Sequence, residues 1–279
     1  MQVCSNNQQI IDLISQWKDK GETVAFVPTM GGLHDGHLSL VSKAVQVADR
    51  VVVSIFINPT QFSQNEDFDN YPETLSVDLT LLENYPVDVV FTPTAEQIYP
   101  KGLSSDVKAG SLAQGLCGGT RPGHFDGVVQ VVHRLFEIVT PTVAIFGQKD
   151  YQQLLVIKQM VEAQALAVEI LSGAIIREND GLAMSTRNQY LAKAQRQLAP
   201  ELYKQLSILK QQILSGDDVI SSTKHTQEAL EKYFKVEYLS VLDANTLKSI
   251  TDNTAKITIL CAVFLGSTRL IDNIIFNQG

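Results

Sequence analysis

The stretch Pro28-Thr29-Met30-Gly31-Gly32-Leu33-His34-Asp35-Gly36-His37 joins a glycine-rich turn to two histidines. Those residue types can take hold of a phosphate chain. Glycines let an anion approach the backbone, and a helix start offers unpaired N–H groups with partial positive charge. The histidines stand three apart, so they share a face if the first helical turn has begun. From the residues alone two other readings stay open. One is zinc, which wants a further ligand set that no neighbouring residues supply. The other is a pair of surface histidines at a helix cap.

Three more segments carry useful side chains. In Asn58-Pro59-Thr60-Gln61-Phe62, the Asn58 and Gln61 carboxamides can donate to one group and accept from another, which suits a hydroxy acid better than a phosphate. A turn-stabilising role is the alternative for such amides. Gly147-Gln148-Lys149-Asp150-Tyr151-Gln152-Gln153 offers close backbone approach at Gly147, a point charge at Lys149 for phosphate and an acceptor for ribose hydroxyls at Asp150. A solvated pair at a helix start is the plain alternative for Lys149 and Asp150. In Met184-Ser185-Thr186-Arg187-Asn188, adjacent hydroxyls and an arginine can grip a polyphosphate, or Ser185 or Thr186 can merely cap a helix. Arg121 and His124, in Arg121-Pro122-Gly123-His124-Phe125, are a weaker anion contact and cap. His133 and His225 lie on expected helices without partner motifs and read as structural or surface residues. The chain has neither Gly-x-x-x-x-Gly-Lys-[Ser/Thr] nor Gly-x-Gly-x-x-Gly, so a nucleotide must be held another way.

Strands and helices must position these turns. Thr23–Val27, Val51–Ile57, Val87–Phe91, Val143–Phe146 and Ala167–Leu171 are β-branched runs that read as strands. Helical stripes lie between them, such as Leu38, Val41, Val45 and Ala48, or Val128, Val132, Leu135 and Val139. The alternation predicts an α/β fold, a Rossmann-like doubly wound parallel sheet over residues 1–176, whose ligands lie beyond the carboxyl ends of the strands. Each segment singled out above, apart from the Met184 loop, follows a strand or enters a helix of that half. Over residues 177–279 the order changes to two helices, around Leu198–Ile213 and Thr223–Phe234, then strands at Val236–Leu242, Ala255–Leu265 and Leu270–Phe276. That order predicts a smaller C-terminal α+β domain. Gly102–Gly123 reads as one irregular, glycine-rich functional loop.

Composition narrows the function. The 279 residues are 44% hydrophobic and 19% charged, enough to bury a core without staples. A net charge of −8 argues against nucleic acid and against anionic membranes, both of which need a basic footprint. Cys4, Cys117 and Cys261 are scattered, so neither a disulfide framework nor a cysteine metal site is implied, and a reducing cytoplasm fits. The N-terminus lacks a leader pattern and no stretch reaches membrane-span length, so a soluble, unprocessed protein is expected.

Taken together, Pro28–His37, Asn58–Phe62, Gly147–Gln153 and Met184–Asn188 resemble the pantothenate synthetase (pantoate:β-alanine ligase) family over nearly the full chain. These are nucleotidyltransferases with a His-x-Gly-His signature, here His34-Asp35-Gly36-His37, and a Lys-Met-Ser-Lys-Ser-like loop, here Met184-Ser185-Thr186-Arg187. The resemblance implies that pantoate attacks the α-phosphorus of ATP to give pantoyl adenylate and pyrophosphate, and that the amine of β-alanine then displaces AMP. It implies an ATP site lined by Met30, Gly31, Gly32, Leu33, His34, Asp35, Gly36, His37, Gly147, Gln148, Lys149, Asp150, Ile176, Met184, Ser185, Thr186 and Arg187. His37 would be the proton donor, with His34 and Lys149 also catalytic. Gln61, Gln153 and Asn58 would bind the organic substrates, with Arg121 and His124 as weaker candidates. Also implied are Mg²⁺ held mainly by ATP phosphates, no protein metal site, a small domain acting as a lid, and a homodimer. Against the family pattern, Glu73 replaces an Arg, Gln148 a Glu and Thr186 a Ser; Thr186 keeps the hydroxyl and Gln148 an acceptor. The rivals are a nucleotidyltransferase that leaves AMP on its product and a catalytically silent nucleotide-binding regulator.

Overall fold

A computed structural model describes residues 1–62, 68, 71–103 and 106–278. The chain divides into two compact units, residues 1–148 with 152–174, and residues 149–151 with 175–279.

The first unit is built on a six-stranded sheet of order β1-β4-β3-β2-β5-β6. Its strands are β1 (Gln2–Cys4), β2 (Val24–Thr29), β3 (Arg50–Ile55), β4 (Val89–Phe91), β5 (Val143–Gly147) and β6 (Glu169–Gly173), all paired in parallel. Between them run α1 (Asn7–Lys18), α2 (Asp35–Val47), α3 (Leu75–Leu82), α4 (Ala95–Ile98), α5 (Leu116–Thr120), α6 (His124–Val139) and α7 (Tyr151–Ala163), whose first residue is grouped with the second unit. The doubly wound parallel sheet expected from the sequence is present. β-Branched strands buried on both faces are why it forms: Val24, Ala25, Phe26 and Val27 of β2 and Val52 and Val53 of β3 are wholly buried. The α2 stripe, with Leu38, Val41 and Ala44, packs on Ala25, Val27, Val51, Val53 and Ile145.

The chain winds outward through β3 and β4 on one side of β2, then returns to place β5 and β6 on the other. The order therefore reverses between β2 and β5, where such sheets open a crevice at their carboxyl edge. In-register pairing of Thr29 with Ile55 makes the turns after β2 and β3 leave that edge side by side.

Two sequence expectations need revision here. β1 is an addition to the expected strands; it is a three-residue edge strand whose partner is β4, most of a hundred residues away, and so short a run shows no period. The Gly102–Gly123 region is more ordered than an irregular loop, since it carries a 3₁₀ turn (Ser111–Ala113) and α5, although residues 104 and 105 lie outside the described residues. Gln152 of α7 fixes it, accepting from the Cys117 N–H at 3.0 Å and donating to the Leu112 carbonyl at 3.0 Å.

The second unit contains α8 (Lys193–Leu198), α9 (Glu201–Leu214) and α10 (Val219–Leu230), then an antiparallel sheet of β7 (Lys235–Asp243), β8 (Lys256–Leu265) and β9 (Thr268–Asn277) in that order. Leu202, Leu206 and Leu209 of α9 meet Ile257, Ile259, Cys261 and Val263 of β8 in its core. Lys149–Tyr151 are held here by hydrogen bonds: Asn273 Nδ2 donates to the Lys149 carbonyl, and Tyr151 Oη to the Ala244 carbonyl, each at 2.8 Å. Among the described residues no helix is long and apolar enough to cross a membrane. The three cysteines are buried free thiols.

Candidate active site

The turn after β2 uses glycine where only glycine fits. Gly31 and Gly32 have φ of +83° and +62°, and a Cβ on Gly31 would meet Asp78 Oδ2 at 3.1 Å and Ile55 Cγ2 at 3.2 Å. Asp78, 1% exposed on α3, is the anchor: its carboxylate accepts from the Gly32 N–H at 3.0 Å, the Leu33 N–H at 2.8 Å and the Thr74 hydroxyl at 3.0 Å. A buried carboxylate is tolerable when several donors surround it. Those two N–H groups are thus spent on Asp78.

His34 caps that helix, its Nδ1 accepting from the Gly36 N–H at 3.1 Å. An accepting Nδ1 places the proton of the neutral ring on Nε2. His37 stacks beside it, ring centroids 4.1 Å apart and planes tilted by 44°. The shared face read from the three-residue spacing is present even though His34 precedes the helix proper. Asp35 is exposed beside them.

The turn after β3 is a 3₁₀ turn, Pro59–Gln61, organised by Asn58, which is 1% exposed. Asn58 Oδ1 accepts from Tyr99 Oη at 2.8 Å, Thr60 Oγ1 at 3.0 Å and the Thr60 N–H at 3.3 Å. Its Nδ2 donates to the Gly127 carbonyl at 3.2 Å and to Gln61 Oε1 at 3.3 Å. Asn58 is therefore occupied in aiming Gln61. Burial pushes the Tyr99 phenol up, keeping it a neutral donor. Gln61 Nε2 points at Met30 Sδ, which joins the two turns. A carboxamide has further lone-pair and N–H capacity, and that of Gln61 remains available to a ligand.

The Gln61 backbone is held as firmly. His124 Nδ1 donates to its carbonyl at 2.7 Å, and Arg121 Nη1 donates to His124 Nε2 at 2.8 Å. Because a carbonyl only accepts and a guanidinium only donates, His124 is a neutral imidazole protonated on Nδ1. Gly127, one turn along α6, permits the approach: a Cβ there would lie 2.2 Å from the Thr60 carbonyl oxygen. Gln153 is half-buried in the first turn of α7, with no side-chain hydrogen bond among the described residues, in contrast to its neighbour Gln152. Gly147 ends β5 and opens the 3₁₀ turn Gln148–Asp150.

In the second unit, Lys149 Nζ lies 3.9 Å from Asp150 Oδ2. Ile176 and Met184 come together across a tight hairpin, the Met184 N–H donating to the Ile176 carbonyl at 3.0 Å. Ser185 caps the 3₁₀ turn Thr186–Tyr190, accepting from the Arg187 N–H at 3.3 Å. That hairpin is braced twice. Arg177 makes a bidentate pair with Asp272 at 2.6 and 2.9 Å, and Arg196 joins Asp180, at 2.6 Å, with Glu178. Arg196 holds the Asp180 carboxyl below its ordinary range.

Among the described residues, no group of three or more His, Cys, Asp or Glu could hold a metal ion, and the zinc reading of His34 and His37 finds no ligand set. His133 pairs with Glu137 at 3.7 Å along α6, and His225 is exposed on α10. Glu73 is exposed. Asp78, Tyr99, Gly127, Arg177 and Asp272 were not legible as site residues; the sole hint was Asp78, an acid within the apolar run Leu75–Leu82.

The profile of the Pantoate-beta-alanine ligase family matches residues 2–275. Pantothenate synthetase of Ruthia magnifica subsp. Calyptogena magnifica is 59% identical over 279 residues, covering 100% of both chains. That of Shewanella loihica is 51% identical over 95% of each. The crystal structure of pantothenate synthetase from Thermus thermophilus superposes with a TM-score of 0.92 at 40% identity, covering 98% of this chain and 99% of that one. Pantoate-beta-alanine ligase from Francisella tularensis, complexed with beta-gamma ATP and beta-alanine, gives 0.83 at 34% identity, covering 99% and 97%. With a sheet that reverses at β2 and β5 and a match running almost end to end, this chain belongs to the pantoate–β-alanine ligase family.

Proposed function

We infer that this protein ligates pantoate and β-alanine to pantothenate with ATP, through pantoyl adenylate, releasing AMP and pyrophosphate. The family match across residues 2–275 carries the reading. It is supported by the Francisella relative with beta-gamma ATP and beta-alanine.

In this reading the turn Met30–His37, with Gly147–Asp150, Ile176 and Met184–Arg187, receives ATP. In-line attack at phosphorus leaves a protein mainly positioning and charge stabilisation to do. His34 offers Nε2–H from the cap of α2, and His37 beside it donates to the phosphoryl oxygens as negative charge moves onto the departing pyrophosphate. Lys149 and Arg187 add positive charge, and the Ser185 and Thr186 hydroxyls add donors.

Gln61 and Gln153 take the pantoate, and Gln61 also contacts β-alanine. Neutral amides suit a nucleophilic carboxylate, because a tight bidentate arginine pair would lower its reactivity. Asn58, Arg121 and His124 act through Gln61 by fixing its side chain and carbonyl. Mg²⁺ is held mainly by the ATP phosphates. The reading extends to a cytoplasmic homodimer.

The test is product analysis with each substrate omitted in turn. AMP and pyrophosphate that depend on pantoate, with pantothenate dependent on β-alanine, support it. ADP, or AMP retained on the product, overturns it.

A further inference from the structure

Two adjacent buried residues of β9 each hold a different loop of the second unit to which the reading above gives ATP contacts. Asp272 is 2% exposed and accepts both Nη groups of Arg177 at 2.6 and 2.9 Å. Arg177 Nη1 also donates to the Gly181 carbonyl at 3.1 Å, and the guanidinium lies 3.6 Å over the Tyr203 ring. Through Arg177 the pair fixes the hairpin that joins Ile176 to Met184. Asn273, also 2% exposed, donates from Nδ2 to the Lys149 carbonyl at 2.8 Å.

The location is costly for an acid. Leu270, Ile274 and Phe276 of β9 belong to the core of the second unit, and Asp272 stands in the same alternating row, paired in register with Cys261. Burying an ion pair in such a row seldom stabilises more than well-packed apolar side chains would. What it gains is geometry, because a bidentate pair fixes both distance and orientation. Consecutive side chains of a strand point to opposite faces, so one dipeptide can reach two loops at once.

We propose that Asp272 and Asn273 are a positioning pair, which sets the placement of the Lys149 turn against the Ile176–Arg187 loop and so sets ATP affinity without touching the nucleotide. The proposal rests on the function inferred above. Asn273→Ala should raise the KM for ATP about fivefold to tenfold, the effect of one lost hydrogen bond. The KM for pantoate and for β-alanine should stay within about twofold.

Since Asn273 acts through the Lys149 turn, the double variant Asn273→Ala with Lys149→Ala should lose less ATP affinity than the two single losses together. Asp272→Asn leaves a buried guanidinium half-paired, so the other arm is read from Arg177→Met combined with Asp272→Leu. That double variant should melt at or above the wild-type temperature while ATP binding weakens.

Calorimetric titration of the full chain with ATP and Mg²⁺ provides a readout independent of turnover. Additive losses in the Lys149 cycle overturn the proposal, as does unchanged ATP affinity in the folded double variant. A parallel rise of all three KM values with a falling melting temperature does so too. If the wild type binds ATP but forms no AMP, the inferred function fails while the calorimetry still decides the positioning role. If it binds no ATP, both fail.

Discussion

The imidazole of His124 donates to the backbone carbonyl of Gln61 at 2.7 Å, so a helix start on one element fixes a turn that follows a strand on another. His124→Leu removes that donor and the acceptor for Arg121 while keeping an apolar side chain in a site only 8% exposed. The KM for pantoate should rise about tenfold, roughly one hydrogen bond's worth, with ATP affinity unchanged. Steady-state kinetics with each substrate varied will check this, and equal losses in both would contradict it.

Gly127→Ala sets two effects against each other. Alanine favours a helix by about 1 kcal/mol over glycine. The added Cβ, however, lies 2.2 Å from the Thr60 carbonyl oxygen and 2.8 Å from the Gln61 nitrogen, and both are backbone atoms that cannot rotate away. Overpacking of this kind costs about 1 to 3 kcal/mol, so a net loss in urea unfolding is expected. Pantoate use should fall more than ATP binding, because the displaced group is Gln61.

Asp78→Asn tests the glycine turn. An amide can accept as the carboxylate does, but its NH₂ would face the donors now converging on Asp78. Leaving a buried donor unsatisfied costs about 1 to 3 kcal/mol. The expected outcome is a lower melting temperature together with weaker ATP binding by calorimetry.

His37→Ala should leave the melting temperature near that of the wild type, since the ring sits half-buried at the start of α2. Pantoate-dependent pyrophosphate release should slow about 100- to 1,000-fold, as for loss of one well-aimed donor. Near-normal release would remove His37 from the mechanism.

Acid should loosen the hairpin that carries Met184. Arg196 depresses the Asp180 carboxyl below its ordinary value of 3.8, so its stabilising contribution is fully present above that pH. The contribution is lost as pH falls through the lower folded-state value. Arg196→Gln removes the partner, so the melting-temperature gap between wild type and variant should close as pH drops below about 3.8. A gap independent of pH would show that the pair contributes nothing through charge.

The sheet was legible because burial on both faces leaves β-branched runs such as Val51-Val52-Val53, and the α2 and α6 stripes recur at helical spacing. The turns at Gly31–His37 and Asn58–Gln61 were legible for the same reason, as they directly follow those strands. What supports the turns was not. Asp78 meets Gly32 from 46 residues away, and Arg177 meets Asp272 from 95, and no local pattern records a pairing made by tertiary folding. Asn58 shows the converse: its amide could be read as a ligand contact or a turn anchor, and the bonds to Tyr99 and Gly127, 41 and 69 residues away, leave no local trace of the anchoring. Likewise Gln152 and Gln153 are identical letters side by side, one locked onto Cys117 and Leu112, the other available.

Lys149–Tyr151 are counted with the second unit, while the residues on either side belong to the first. A gene split at residue 175 would therefore yield two fragments that are both incomplete, one carrying a segment whose hydrogen-bonding partners have left with the other. During synthesis on the ribosome, the Lys149 carbonyl must wait for Asn273, 124 residues later, to emerge. The Lys149 turn is thus among the last segments to be fixed, and an intact β9 is a precondition for holding it.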